Sequence, residues 1–286
     1  MSTKVSTGKS GESEPKLRHE FVGMMFAVAI GEVGLQTASL IQAGNVLHFL
    51  PAYFHLFLAA CLIATSWVGW TLSQSPGARA DVQNVFEWEF LLLMLDVLLV
   101  VVYFIIVKAV DLKGEKTVEL NASARPEALG VLAVFCLYLL WDVISKGPLY
   151  YSRKSSEPWA RYGVRIAPTL ICCALAFVTR RLVQDADPPH VLTADFALVS
   201  LVFFFRALKD LFSALFPGEA VENKELRSKR RWAMAWSTVF GLFLLLGILW
   251  TRFWPMFETI ASRIEARPIV EINHPEETGP VQQPGQ

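Results

Sequence analysis

The sequence predicts an all-α integral membrane protein, a polytopic bundle of about seven transmembrane helices. Three observations support this fold class. Of the 286 residues, 53% are hydrophobic, and the mean hydropathy of +0.41 exceeds what the core of a soluble domain of this length requires. The chain contains seven apolar stretches close to the length of about 20 residues that crosses a hydrocarbon core. The Lys and Arg residues between these stretches are unevenly divided between the two sides.

The predicted spans follow one another with short polar links. They are residues 20–44, 49–72, 86–108, 128–148, 162–180, 191–215 and 232–254. A tail at 1–19 precedes this bundle of residues 20–256, and another tail follows at 257–286. The first tail is polar and without apolar periodicity, so we expect it to be disordered, as we do residues 269–286. The pattern at 255–267 suits a short amphipathic helix along the membrane surface. The sixth stretch is uncharged only from Phe196 to Phe205, so a re-entrant or interfacial segment is its alternative.

Charge counting favours a complete sixth span. With seven spans, 17 of the 26 Lys and Arg residues lie on the side of the N-terminus and 9 on the other, whereas six spans leave 13 on each side. Cytoplasmic loops carry an excess of Lys and Arg. We therefore predict a cytoplasmic N-terminus and a protein of the plasma or inner membrane, with the first span serving as the insertion signal.

The first span carries a carboxylate at its middle. Glu32 lies near its centre, and Gln36 follows one helical turn later on the same face. A carboxylate at that depth costs at least about 2.5 kcal/mol on insertion scales. We therefore expect Glu32 to face other helices or water.

Other predicted spans also contain ionisable side chains. His55 lies in the second, Glu89 and Asp96 share a face of the third, and Asp142 lies in the fourth. The acids expected deepest are Glu32, Asp96 and Asp142. The candidate ion path consists of Glu32, Gln36, His55, Glu89, Asp96 and Asp142. The alternative is structural, with buried acids that pair with basic groups and hold the helices in register.

A basic segment precedes the seventh span. Its members are Lys224, Arg227, Lys229, Arg230 and Arg231. Such a segment contacts anionic lipid headgroups at about 1 kcal/mol per charge, or a protein partner. Its alternative is plain topogenic charge, which orients the chain without binding anything. The sequence leaves open whether the protein forms a homo-oligomer or binds another membrane protein.

Several classes of function are disfavoured. Equal numbers of basic and acidic residues argue against nucleic acid as a partner. The sequence contains no glycine-rich phosphate loop, paired CxxC, HExxH or GxSxG motif, so we expect no catalytic residues, no cofactor and no metal. The four cysteines lie in apolar runs, where we expect free thiols.

The pattern of buried acids favours a channel or transporter for a small cation or proton. The alternative is a membrane sensor, adaptor or defence-type component that acts through a partner without transport. A third class, an intramembrane enzyme acting on lipid, would use Glu89 or His55 near the headgroup layer.

Overall fold

The computed structural model describes residues 17–43, 50–73, 88–109, 124–152, 159–183, 191–216 and 224–265, in which the chain forms seven α-helices. These are α1 (Leu17–Ala43), α2 (Leu50–Ser73), α3 (Trp88–Lys108), α4 (Arg125–Ser152), α5 (Trp159–Val183), α6 (Val191–Leu215) and α7 (Lys224–Glu265). Each contains a stretch long and apolar enough to cross a membrane. The predicted all-α bundle of seven spans is thereby confirmed. Of the predicted tails, residues 1–16 and 266–286 lie outside the described residues, whereas 17–19 belong to α1 and 257–265 to α7.

The helix α6 is the centre of the bundle. It packs against α2, α4, α5 and α7, and its apolar stretch is the most buried of the seven. Leu198 and Leu201 are completely buried. The charged residues that shorten its uncharged run lie within one continuous helix of 25 residues. A central helix can carry such groups because neighbouring helices, rather than lipid, surround them.

The last helix is longer than the sequence predicts. We expected a charged link before residue 232 and a tail after residue 256, but α7 runs without interruption for 42 residues. The basic segment consists mainly of Lys, Arg and Glu, which are good helix formers, so nothing in it ends the helix. Most of the apolar side chains of α7 are exposed, as expected for a helix at the lipid-facing edge of the bundle.

Contacts between helices define two ends of the bundle. Thr193 at the start of α6 accepts a hydrogen bond from Thr251 in the second half of α7 at 3.1 Å, and Ala214 at the end of α6 accepts one from Arg230 near the start of α7 at 3.3 Å, so these helices are antiparallel. In the same way, the start of α2 lies beside the end of α3. We call the end at which α1 begins the N face and the opposite end the C face. The N face therefore holds the ends of α2, α4 and α6.

Close packing of α6 against α7 depends on a glycine. A Cβ atom at Gly247 would lie 2.9 Å from the Cβ and 3.1 Å from the Cα of Ala197, so the backbone of α6 would have to move. We expect Gly247→Ala to lower the free energy of unfolding by about 1–3 kcal/mol, the usual cost of overpacking. Thermal unfolding in detergent, followed by tryptophan fluorescence, measures this change.

The matched control is Gly34→Ala. A Cβ at Gly34 meets nothing within 4 Å, so the substitution should leave the melting temperature unchanged or raise it, because Ala favours helix over Gly. Equal melting temperatures for the two variants would contradict the packing role of Gly247.

Candidate functional site

The polar side chains inside the bundle form two separate groups. The first surrounds a cavity of about 190 Å³ between α2, α3, α4 and α6, toward the N face, which we call the N-face cavity. Its polar lining includes Ser66, Asp96, Tyr138, Asp142, Arg206 and Lys209. Four helices thus contribute polar groups to one space within the spanning region.

Two acids of the candidate path lie on this cavity. Asp96 on α3 is 3% exposed, and its Oδ2 accepts a hydrogen bond from Nε1 of Trp70 at 3.4 Å. Asp142 on α4 is 1% exposed, and its Oδ2 accepts a hydrogen bond from the hydroxyl of Thr169 on α5. The same Oδ2 lies 3.4 Å from Nζ of Lys209 on α6. Each acid is held by a side chain from a different helix.

Two basic side chains, Arg206 and Lys209, also line the cavity. Nη2 of Arg206 lies 3.0 Å from Oδ1 of Asp210, one turn later on α6. The ammonium of Lys209 lies 4.9 Å from the ring centroid of Phe205, a cation–π contact. The side chains of Arg206 and Lys209 are 28% and 32% exposed. The cations therefore connect the buried acids to the outer surface.

A group of hydroxyls extends the polar lining into the bundle. The hydroxyl of Tyr103 donates to Oγ of Ser66, which donates to the carbonyl of Leu62 at 2.6 Å. The hydroxyl of Tyr138 contacts the same Oγ and lies 3.0 Å from the hydroxyl of Tyr103. The ring of Tyr138 stacks on Phe205, with centroids 5.4 Å apart, so its position is fixed by packing.

The second group, the C-face cluster, consists of His55 on α2, Glu127 on α4 and Asp195 on α6. Nε2 of His55 contacts the carbonyl oxygen of Ile106 on α3 at 2.6 Å, and Nδ1 lies 2.9 Å from Oε1 of Glu127. Asp195 is completely buried, near the same end of the bundle, on the helix that packs against both α2 and α4. Three titratable side chains from three helices therefore share one buried region.

The C-face cluster is incompletely hydrogen-bonded. Within the described part of the chain, four of its buried atoms have no hydrogen-bond partner: Nδ1 of His55, Oε2 of Glu127, and Oδ1 and Oδ2 of Asp195. The approach of Nδ1 to Glu127 is thus an ion-pair distance without the alignment of a hydrogen bond. An unbonded buried polar group costs about 1–3 kcal/mol, so such a cluster calls for a functional explanation.

An apolar layer separates the two groups. Along α2, His55 and Ser66 are eleven residues apart, which at the helical rise corresponds to about 16 Å. The layer is formed by Leu58, Leu62, Val131, Phe135, Leu198 and Leu201, each at most 1% exposed. Between the two groups, the four helices contain no Asp, Glu, His, Lys or Arg.

Other members of the candidate path lie elsewhere. Oε1 of Glu32 accepts a hydrogen bond from Gln36 at 2.9 Å and lies 2.5 Å from Nζ of Lys108. The side chain of Lys108 is 60% exposed, so this pair lies at the outer surface of α1 and α3. Glu89, in the first turn of α3, is half-buried and does not line the N-face cavity. The structure therefore brings Asp96 and Asp142 together but places Glu32, Gln36 and Glu89 apart from them.

The basic segment forms the first turns of α7, which begins at Lys224. Its exposed members are Arg227, Lys229 and Arg231. Arg230 turns toward α6, where its Nη2 donates to the carbonyl of Ala214 at 3.3 Å. Arg230 thus anchors α7 to α6, whereas Arg227, Lys229 and Arg231 are exposed.

The ion path predicted from the sequence includes neither Glu127 nor Asp195. Glu127 follows Arg125 and Pro126, and a proline in the first turn is a signal for the start of a helix, which would have included this acid in α4. Asp195 lies only five residues into α6, so its depth does not distinguish an interfacial from a buried position. The burial of both acids depends on the packing of α6 against α2 and α4.

Within the described ranges, no three His, Cys, Asp or Glu side chains are grouped closely enough to hold a metal ion. The four cysteines are free thiols, as predicted. No protein-family model matches the chain, and comparison with curated proteins and with solved structures finds no match. The interpretation of both groups therefore depends on their own geometry.

Lys209 neutralises the buried acid Asp142, so substitution of this lysine should reduce the stability of the protein. We expect Lys209→Met to lower the free energy of unfolding by about 1–3 kcal/mol, because the buried carboxylate of Asp142 loses the ammonium that lies 3.4 Å from it. The double variant Asp142→Asn with Lys209→Met removes both charges and should recover most of this loss. Thermal unfolding of the three proteins provides the comparison.

The control is Arg231→Met, which removes an exposed cation from the first turns of α7. It should change stability by less than about 1 kcal/mol. A double variant no more stable than Lys209→Met alone would contradict the pairing.

Proposed function

We propose that this protein is a multi-pass membrane carrier for a small cation or for protons, with the N-face cavity as its binding site. The observation that supports this most directly is that two buried acids from different helices, Asp96 and Asp142, line one cavity inside the spanning region. Acids at such depth are costly and typically mark ion or proton pathways. Neither acid is part of the surface pair of Glu32 and Lys108.

The charged side chains that line the cavity support a mechanism in which a bound cation or proton exchanges places with the ammonium of Lys209. Two carboxylates, Asp96 and Asp142, share it with two cations, Arg206 and Lys209, so their formal charges cancel. Lys209 is one-third exposed and sits at 3.4 Å from Asp142, so its ammonium can withdraw when another cation or a proton takes its place. The buried acid would then stay neutralised throughout, which avoids the cost of an unpaired charge.

The apolar layer favours a carrier over an open channel. Its members Leu62, Phe135 and Leu198 close the bundle on the C-face side of the cavity. A hydrated cation does not cross such a layer unless the helices move or the layer wets. Transport by this protein would therefore be gated by conformational change and saturate with substrate.

Neutralising the cavity acids should abolish most transport. We expect Asp142→Asn and Asp96→Asn each to reduce ion flux into proteoliposomes at least about tenfold, because a charged hydrogen-bonding contact contributes about 1.5–3 kcal/mol. The assay compares K⁺, Na⁺ and proton gradients at equal protein density. The ion whose flux depends on these acids is the transported species.

Glu20→Gln is the matched control. Glu20 is an exposed acid in the first turn of α1, so its neutralisation leaves the cavity intact and flux should equal that of the wild type. Undiminished flux through the double variant Asp96→Asn with Asp142→Asn would overturn the proposal.

Opening the apolar layer should create a leak. Phe135→Ala combined with Leu198→Ala removes two buried side chains from neighbouring helices, and the resulting space admits water. We expect faster passive proton leak, measured with a pH-sensitive dye inside liposomes. Leu245→Ala, at an exposed position on α7, should leave the leak unchanged. An intact barrier in the double variant would argue that the layer is not the seal.

A second candidate is a sensor or adaptor that acts through a protein partner. It is favoured by the exposed basic turns of α7 and by a groove of about 940 Å³ between α6 and α7, lined by Lys229, Trp232 and Trp236. A protein of this class would carry no flux under any of the three gradients. Charge reversal at Arg227 and Arg231 would then abolish its cellular activity at an unchanged protein level.

A further inference from the structure

We propose that the C-face cluster is a buried proton-binding site, in which Asp195 takes up and releases one proton per chain. The site binds its proton whether or not the protein transports an ion through the N-face cavity. It is a second titratable site, at the opposite end of the same helices.

The hydrogen bond of His55 to Ile106 defines which ring nitrogen carries a hydrogen and which has a lone pair. A carbonyl oxygen only accepts, so Nε2 carries a hydrogen and donates it to Ile106 at 2.6 Å. The basic nitrogen of the ring is therefore Nδ1, which lies 2.9 Å from Oε1 of Glu127. With a proton on Nδ1, the ring is an imidazolium beside a carboxylate, and the pair is electrically neutral.

Asp195 is then the group whose charge can vary. With the pair of His55 and Glu127 neutral, the cluster is neutral only when Asp195 carries a proton, and it gains one negative charge when that proton leaves. Both oxygens of Asp195 are buried and without a hydrogen-bond partner in the described part of the chain. An ionised carboxylate in such surroundings is costly, which favours the protonated form in the conformation observed.

Two of the helices that pack on α6 contribute titratable groups to the C-face cluster: α2 contributes His55 and α4 contributes Glu127. On the side of α7, the hydroxyl of Thr251 is engaged with Thr193. On the side of α5, Arg180 and Arg181 lie in the last turn, toward the same end of the bundle, and the Nε atom of Arg180 is buried.

A proton is the ligand that fits a site as deeply buried as the C-face cluster. His55, Glu127 and Asp195 are 3%, 5% and 0% exposed, and the unbonded atoms are closed to solvent. A metal ion or a solute needs space and several ligands, whereas a proton adds no volume. The described part of the chain also lacks a grouping of three side chains suited to a metal.

Access to the site is from the C face. Glu127 is the third residue of α4 and Asp195 the fifth of α6, so both lie about one helical turn from the C-face ends of their helices. On the other side, the apolar layer separates them from the N-face cavity by about 16 Å. The proton therefore comes from water at the C face and returns there.

Infrared difference spectroscopy of the full chain in lipid tests the proposal. Difference spectra between neutral and alkaline pH, a range in which exposed carboxyl groups stay ionised, should contain the carbonyl stretch of a protonated carboxylic acid, which shifts to lower frequency in D₂O. We expect Asp195→Asn to remove this band and to reduce the titrated protons by one per chain. Asp195→Glu should retain a band at a shifted position, which separates loss of the proton from loss of the fold.

Asp210→Asn is the matched control, because Asp210 is an exposed acid on the same helix. Its spectrum should keep the band. A band that is absent from the wild type at every pH, or that persists unchanged in Asp195→Asn, would overturn the proton site. The band without ion flux would overturn the carrier proposal alone, and ion flux without the band would overturn the proton site alone.

Discussion

A charged group inside hydrocarbon needs another polar group beside it, and this requirement shapes the bundle around α6. Lys209 reaches the buried carboxylate of Asp142, and Asp195 lies in the region of His55 and Glu127. Both arrangements exist only because α6 is enclosed by α2, α4, α5 and α7. A helix with acidic and basic residues at this spacing would be unfavourable at the lipid boundary, where α7 instead presents leucine, phenylalanine and tryptophan.

The sequence predicted the fold well and the site in part. Apolar runs of spanning length identify all seven helices, because the hydrocarbon thickness sets their length whatever their neighbours are. Depth along a span also identified Asp96 and Asp142. Depth does not reveal the direction in which a side chain points, so Glu32 was grouped with them although it pairs with Lys108 at the surface. Burial of Glu127 is a tertiary property, and no local pattern of residues encodes it.

The two polar groups are built on the same helices. Each of α2, α4 and α6 carries polar residues toward both faces and an apolar middle, and α3 joins the cavity through Asp96 and the cluster through the carbonyl of Ile106. A rigid helix that shifts to accommodate a change at one end also moves its other end. Binding of an ion or a proton in one group can therefore change the binding affinity of the other, provided that the helices have two packed arrangements. No polar connection through the apolar layer is needed.

The length of α7 has a mechanical consequence. At the helical rise, its 42 residues extend for about 63 Å, roughly twice the thickness of the hydrocarbon core. It packs tightly against α6 at Gly247, toward the C face, and Arg230 contacts the carbonyl of Ala214 near the basic end that begins at Lys224. If Gly247 acts as a pivot, the lever arm to Lys224 is about 35 Å, and a tilt of about 5° that releases the Arg230 contact displaces the basic end by about 3 Å. A small rearrangement inside the bundle would thus become a larger movement of positive charge at the N face.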